Sequence, residues 1–282
     1  MSSDRRGFFR DLTGMARGGE PAARDAAEQE PAAPDAEPPH DGRPDPWLDR
    51  YSRQLVLPEW SERAQRALAE ASVLVVGAGA LGSPVALYLA GAGVGRLGIV
   101  DDGDVELSNL HRQHLHFTPD VGVPKAHSAV AKLGFLNPDV VVQPYQARFT
   151  PAMVEGQDLV VDCTDSFETR YAVNAACCAA GVPLVEAGVT GLTGLVMTIR
   201  PGETACYRCA FPDAPRDAPS CAEAGVLGPA AGVIGSLQAL EALKLLAGLP
   251  EPLSDAFLQI DLAGGSFLRV SVGRRADCAD CA

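Results

Sequence analysis

The stretch VLVVGAGALGSP, residues 73–84, limits what this chain can fold into more than any other segment. Four apolar residues run into G-x-G-x-x-G at Gly77, Gly79 and Gly82, and helix-compatible sequence follows to about Ala92. Glycines at that spacing allow a tight turn and close backbone approach. The helix that begins there points its free N–H groups at whatever anion sits in front of the turn. Asp101 lies at the end of the next strand, RLGIV, where a carboxylate can accept ribose hydroxyls. The pattern signals a nucleotide without saying which one, and NAD is the usual default.

Beyond this unit, strands and helices alternate. A short helix is expected near 61–70, a helix from Pro124 to Phe135, the strands VVVQPY and DLVVDC, a helix near 167–180, and the strand PLVEAG. Alternation of this kind makes a parallel sheet wound on both faces. The last third reads differently: GLVMTIR, AFLQIDL and FLRVSV are strands, and GVIGSLQALEALKLLAG is a long helix. The expected fold class is therefore α/β, a Rossmann-like doubly wound mixed sheet, mostly parallel with late antiparallel strands, in one domain with structural zinc. Residues 1–46 carry seven of the 22 prolines among Ala, Glu and Asp, and read as a disordered acidic tail before a single domain at 47–282.

Charge narrows the function. A net charge of -13 argues against nucleic acid as the main partner, which would need clustered Lys and Arg. No uninterrupted apolar run reaches the roughly 18 residues needed to span a bilayer, so no membrane role is expected. MSSDRRGFFRDLTG has a twin-arginine look at Arg5 and Arg6 but lacks the apolar core of an export signal, which places the chain in the cytoplasm. Only three lysines occur: Lys125, Lys132 and Lys244.

A dehydrogenase needs few cations near its phosphates. Here Arg53, Arg112 and Lys125 belong to the nucleotide half, with Asp165, after a later strand, as a natural Mg²⁺ partner. That set suits a triphosphate being cleaved, where cations stabilise developing charge. There is no P-loop lysine pattern. SNLHRQHLH, residues 108–116, places His111, His114 and His116 at a spacing that fits no ordinary metal frame, whereas Asn109 and Arg112 suit a phosphate.

Cys206 and Cys209 in CYRC, and Cys278 and Cys281 in CADC, make two C-x-x-C knuckles that can complete a tetrahedral S4 zinc site worth on the order of 10 kcal/mol to folding. A redox pair or two small disulfides are the alternatives. Cys221, just before a helix, reads as a nucleophile or as a small buried hydrophobe. Cys163, Cys177 and Cys178 sit in core patterns.

In order along the chain, RYSRQLVLPEW, GAGALGSPVALYLAGAGVGRLGIVDDGDVELSNLHRQHLH, VGVPKAHSA, DLVVDCTDS, CYRC, CAEAGVLGPAAGVIGSLQALEALKLL and CADC resemble the motifs of the ThiF/MoeB/HesA family, bacterial relatives of the ubiquitin-activating enzymes. The resemblance runs from about Trp47 to Cys281. It implies ATP-dependent adenylation of the C-terminal glycine of a small ubiquitin-like sulfur carrier ending in Gly-Gly, MoaD- or ThiS-like, for molybdopterin or thiamine biosynthesis. Sulfur would come from a cysteine desulfurase or another donor.

It further implies that Gly77, Gly79, Ala80 and Gly82 lie against ATP and that Asp101 holds its ribose. Ser108, Asn109, Arg112, Lys125 and Ser166 would belong to the same site, Asp165 would hold Mg²⁺, and the knuckles would hold Zn²⁺. Arg53 would reach the triphosphate from the neighbouring subunit of a homodimer, and Cys221 matches the family's crossover-loop cysteine. Three positions depart from the usual pattern: Ala80 replaces a glycine, Gly103 replaces an acid, and Ser166 replaces an asparagine. A methyl at Ala80 is expected to be tolerated if the backbone there has ordinary φ. The competing readings are a non-catalytic scaffold with the same nucleotide pocket and, less favoured, an NAD-dependent oxidoreductase.

Overall fold

The computed structural model describes residues 46–213, 225–249 and 253–282. The tail at 1–45 and Cys221 lie outside them.

Two helices lead in, α1 (Pro46–Leu55) and α2 (Glu62–Glu70), and the sheet begins with β1 (Ser72–Val76). α3 (Gly82–Ala92), β2 (Arg96–Val100), α4 (Lys125–Leu136) and β3 (Val141–Tyr145) follow. Next come β4 (Leu159–Asp162), α5 (Phe167–Ala180), β5 (Leu184–Thr190) and β6 (Thr193–Ile199). The last elements are the short α6 (Tyr207–Ala210), α7 (Gly228–Leu246), β7 (Ala256–Asp261) and β8 (Ser266–Ser271). One eight-stranded sheet has the order β3-β2-β1-β4-β5-β6-β7-β8. β3 to β5 run parallel, and β6, β7 and β8 add antiparallel strands at the β5 edge.

The central strands are apolar at most positions because both sheet faces are covered. Val73, Val75, Leu97, Ile99, Leu159 and Val161 face one core with residues of α3, α4 and α7. Leu74, Val76, Val100, Val160 and Leu184 face a second, under α5 and the cysteine knuckles. Burying one such aliphatic side chain contributes roughly 1.5–3 kcal/mol. Gln238 of α7, fully buried, donates to the carbonyls of Asp162 and Val185 and ties the ends of β4 and β5 together.

Differences from the sequence expectation are local. α1 occupies residues that carried no expected element. α7 begins at Gly228 rather than Gly232, because Pro229 sits in its first turn where a missing N–H costs nothing. Among the described residues no helix is long and apolar enough to cross a membrane.

The chain runs from β1 out to β3 on one side and from β4 outward on the other. A crevice must therefore open at the carboxyl ends of β1 and β4, where the winding reverses. Gly77 turns there with φ +97°, and Gly82 packs on its carbonyl so closely that an added Cβ would lie 1.9 Å from that oxygen. A Cβ on Gly79 would meet only the Gln113 amide, at 3.7 Å. Gly82→Ala is thus expected to lose at least about 2 kcal/mol in urea unfolding, with Gly79→Ala staying near the parent. Equal stability of the two variants would contradict this packing.

Candidate functional site

The crevice is a cavity of about 600 Å³ floored by Gly77, Gly79, Ala80 and Leu81 and walled by the loops after β2 and β4. The glycine turn is held open from two sides. Asp101 at the end of β2 accepts from the Ala78 N–H at 2.8 Å and the Gly103 N–H at 2.9 Å. His116 lies beneath, 2% exposed, with Nε2 2.9 Å from the Ala78 carbonyl and Nδ1 2.9 Å from the Ser128 hydroxyl of α4. A carbonyl can only accept, so Nε2 carries the hydrogen and Nδ1 accepts from Ser128. Burial lowers the His116 pKa, outweighing the carbonyl that favours the cation. The ring is a neutral strut, which makes one of the three clustered histidines a structural element of the site.

Lys125, the first residue of α4, donates its N–H to the Gly103 carbonyl, and its Nζ lies near the Gly103 Cα beside Asp101. Arg112 follows a short 3₁₀ turn at Leu107–Asn109. Its Nη1 lies 2.8 Å from the Ser108 carbonyl and 2.9 Å from the His111 ring. Both line the cavity, and among the described residues neither forms an ion pair with a carboxylate. Two cations thus face a space whose floor is a helix N-terminus, a combination that attracts a polyanion.

Opposite them stands Asp165, exposed in the loop after β4. Ser166 caps α5 by accepting from the Thr169 N–H at 3.1 Å while lining the same wall. At the rim Arg148 pairs with Asp102 at 3.0 Å.

The structure therefore brings Gly77, Gly79, Ala80, Asp101, Arg112, Lys125, Asp165 and Ser166 to one cavity. Gly82 lies behind the turn rather than on the cavity wall. Ala80 has no positive φ, so its methyl costs no backbone strain. Asn109 is 7% exposed, and its Oδ1 accepts from the Glu106 N–H, so it shapes the 3₁₀ turn behind Arg112 and does not line the cavity. Ser108 is exposed and bonds Glu106. Arg53 projects from α1 and is not part of the wall in this single chain.

Sequence reasoning passed over Gln113, which lines the cavity at 5% exposure with Oε1 unpartnered. Its position next to Arg112 was the available signal. It also passed over Arg148, Phe149 and Arg170, which no motif marked.

Away from the cavity, Cys206, Cys209, Cys278 and Cys281 meet with their sulfur atoms all within 4.8 Å of one another. The sulfurs lie 3.9 Å apart in Cys206–Cys209, 3.5 Å in Cys206–Cys278 and 3.4 Å in Cys209–Cys281. A tetrahedral ion with bonds of about 2.3 Å places its sulfurs about 3.8 Å apart, so the cluster fits one metal. The Arg275 N–H donates to the Cys209 sulfur at 3.4 Å. Asn174 of α5 accepts from the Tyr207 N–H and donates to Asp280, which joins the two knuckles to that helix.

The ThiF family model matches residues 51–280. The chain belongs to the ThiF family. It is 46% identical over 245 residues to the sulfur carrier protein adenylyltransferase of Thermus thermophilus, covering 83% of this chain and 90% of that protein. With the Escherichia coli sulfur carrier protein ThiS adenylyltransferase it shares 43% over 237 residues, 82% of this chain and 94% of that protein. The adenylyltransferase and sulfurtransferase MOCS3 of Sus scrofa is 49% identical over 239 residues. This ThiF-family chain spans only about half the length of such relatives, 52% in that case. Among solved structures, E. coli MccB with ATP superposes with a TM-score of 0.74 at 25% identity, covering 82% of this chain and 74% of that one.

The purified protein is expected to carry one ion per chain by elemental analysis. Cys278→Ser should lose it and melt at least several degrees lower. A metal-free parent that melts like this variant would contradict a metal role for the cluster.

Proposed function

We propose that the protein adenylates the C-terminal glycine of a small ubiquitin-like sulfur carrier, MoaD- or ThiS-like and ending in Gly-Gly, with ATP and Mg²⁺. The observation that carries this reading is the pair of cations, Arg112 and Lys125, facing Asp165 across a cavity floored by the glycine turn. The names of the Thermus and E. coli relatives support the same reading.

Adenylation joins a carboxylate oxygen to the α-phosphorus and expels pyrophosphate, so negative charge grows on the leaving group. Lys125 and Arg112 would neutralise that charge, and the N–H groups at the start of α3 would bind a phosphate oxygen. Asp165 would hold Mg²⁺, which supplies charge neutralisation across the phosphates when bound. It suits that role because its carboxylate is exposed on the wall and has no cation partner among the described residues. Asp101 spends hydrogen-bonding capacity on two backbone N–H groups, which fixes its carboxylate where a ribose would sit. A persulfide sulfur from a cysteine desulfurase or another donor would then attack the acyl carbon and expel AMP, and a second thiol would cleave the resulting acyl disulfide to leave the thiocarboxylate, forming a disulfide itself. Cys221 would be a candidate to act in that step.

The four knuckle thiolates would hold Zn²⁺ as a structural ion, consistent with a reducing, cytoplasmic setting. A homodimer in which Arg53 completes the neighbour's site is supported by an apolar groove that leaves the cavity at Ala80 and Arg112. The groove runs between α3 and α7 past Tyr88, Val233 and Leu237. No observation favours a scaffold or a dehydrogenase.

Arg112→Ala is expected to lower carrier-dependent ATP–pyrophosphate exchange by about 10²- to 10³-fold, with melting temperature and metal content unchanged. Exchange at the parental rate would overturn the assignment.

A further inference from the structure

Behind the cavity wall, which only its arginine reaches, lies a buried charge cluster that the activity above does not use. Asp162 and Glu186 occupy paired positions of the parallel strands β4 and β5, so their side chains leave the sheet side by side on one face. Both are fully buried. Arg170, one turn into α5 and 8% exposed, covers them with Nε 3.4 Å from Glu186.

Its guanidinium also donates to the Thr164 carbonyl, from Nε at 3.3 Å and Nη2 at 2.9 Å. The N–H of that same residue donates to Asp162 at 2.9 Å. The residue immediately before Asp165 is therefore held at both its backbone polar groups by one side-chain cluster. Room for the arginine depends on Gly188 of β5, where an added Cβ would lie 2.8 Å from Nη1.

Two carboxylates against one cation would leave a buried net negative charge under the phosphates. Oδ2 of Asp162 and both oxygens of Glu186 have no hydrogen-bond donor as carboxylates. One proton between them supplies a donor and makes the cluster neutral. Burial, with Asp162 adding to it, pushes the Glu186 carboxyl well above the usual carboxylate range, so the proton belongs on Glu186. Burial opposes the Arg170 charge, but its acidic neighbours outweigh it and raise the guanidinium pKa above its usual value, so Arg170 stays the cation that balances Asp162.

We propose that Arg170, braced by Asp162 and Glu186, is a positioning residue that fixes the 164–165 peptide and so aims the Asp165 carboxylate at the metal of bound Mg·ATP. This rests on the nucleotide reading above. Arg170 does not serve as a further phosphate cation, because its charge is already balanced within the cluster.

The test is calorimetric binding of ATP to the full-length chain, with Mg²⁺ and separately with EDTA, alongside exchange kinetics. Arg170→Lys keeps the charge but cannot lie against Glu186 and donate twice to the Thr164 carbonyl through one planar fork. It is expected to weaken Mg·ATP about 10- to 100-fold while metal-free ATP binds as in the parent. Gly188→Ala, which displaces the guanidinium without touching it chemically, should shift the same way. Glu186→Gln, a neutral donor of similar shape, should retain parental Mg·ATP affinity.

Equal weakening of Mg·ATP and metal-free ATP in Arg170→Lys, or no weakening of either, would overturn the proposal. So would a Glu186→Gln variant as impaired as Arg170→Lys. A parent that binds no Mg·ATP would fail the nucleotide reading itself, and the proposal with it.

Discussion

The constraint on which the cavity depends is the contact between Gly82 and the Gly77 carbonyl. It lets α3 start directly against the end of β1, which leaves the first N–H groups of the helix facing the switch point of the sheet. Every other feature of the cavity is arranged about that turn. Asp101 bonds one N–H of the turn and His116 lies against one of its carbonyls, so its shape is set from the strand side and the α4 side together. Were the turn to relax, Lys125 and Arg112 would face each other across a space with no anion-binding floor.

Unbalanced positive charge is the chemical consequence. Several cations elsewhere have acidic partners: Arg170 has Glu186, Arg208 has Asp280 and Lys132 has Asp120. Lys125 and Arg112 are not paired with carboxylates among the described residues, in a chain whose net charge is -13. Leaving two cations unneutralised inside a cavity costs stability through mutual repulsion, and a phosphate chain offsets that cost when it binds. Asp165 on the opposite wall provides the complementary place for a divalent ion.

Much of this could be read from residue order. The strand, glycine turn and helix at 73–92 announce themselves through local rules, as do the two C-x-x-C knuckles, because each depends on neighbours a few residues away. α1 escaped notice because its stretch begins in Pro-rich sequence. Gln113 was missed because a polar residue inside a polar motif carries no sign of being buried. The Asp162, Arg170 and Glu186 cluster could not be read at all. It exists only because β4 and β5 pair in the register that sets positions 162 and 186 abreast, and register is a property of the sheet rather than of any segment. At Asn109 the sequence offered amide donors for a phosphate, and the fold adds what the sequence did not show: Oδ1 accepts from the Glu106 N–H of its own turn.

The most direct measurement is a crystal structure of the protein with Mg²⁺ and a non-hydrolysable ATP analogue. The account predicts the phosphates over Gly79 and Ala80, with Lys125 Nζ and the Arg112 guanidinium within hydrogen-bonding distance of phosphate oxygens. The metal should be bridged to Asp165, directly or through water. A nucleotide bound elsewhere, or one in this cavity with both cations turned away from its phosphates, would contradict it.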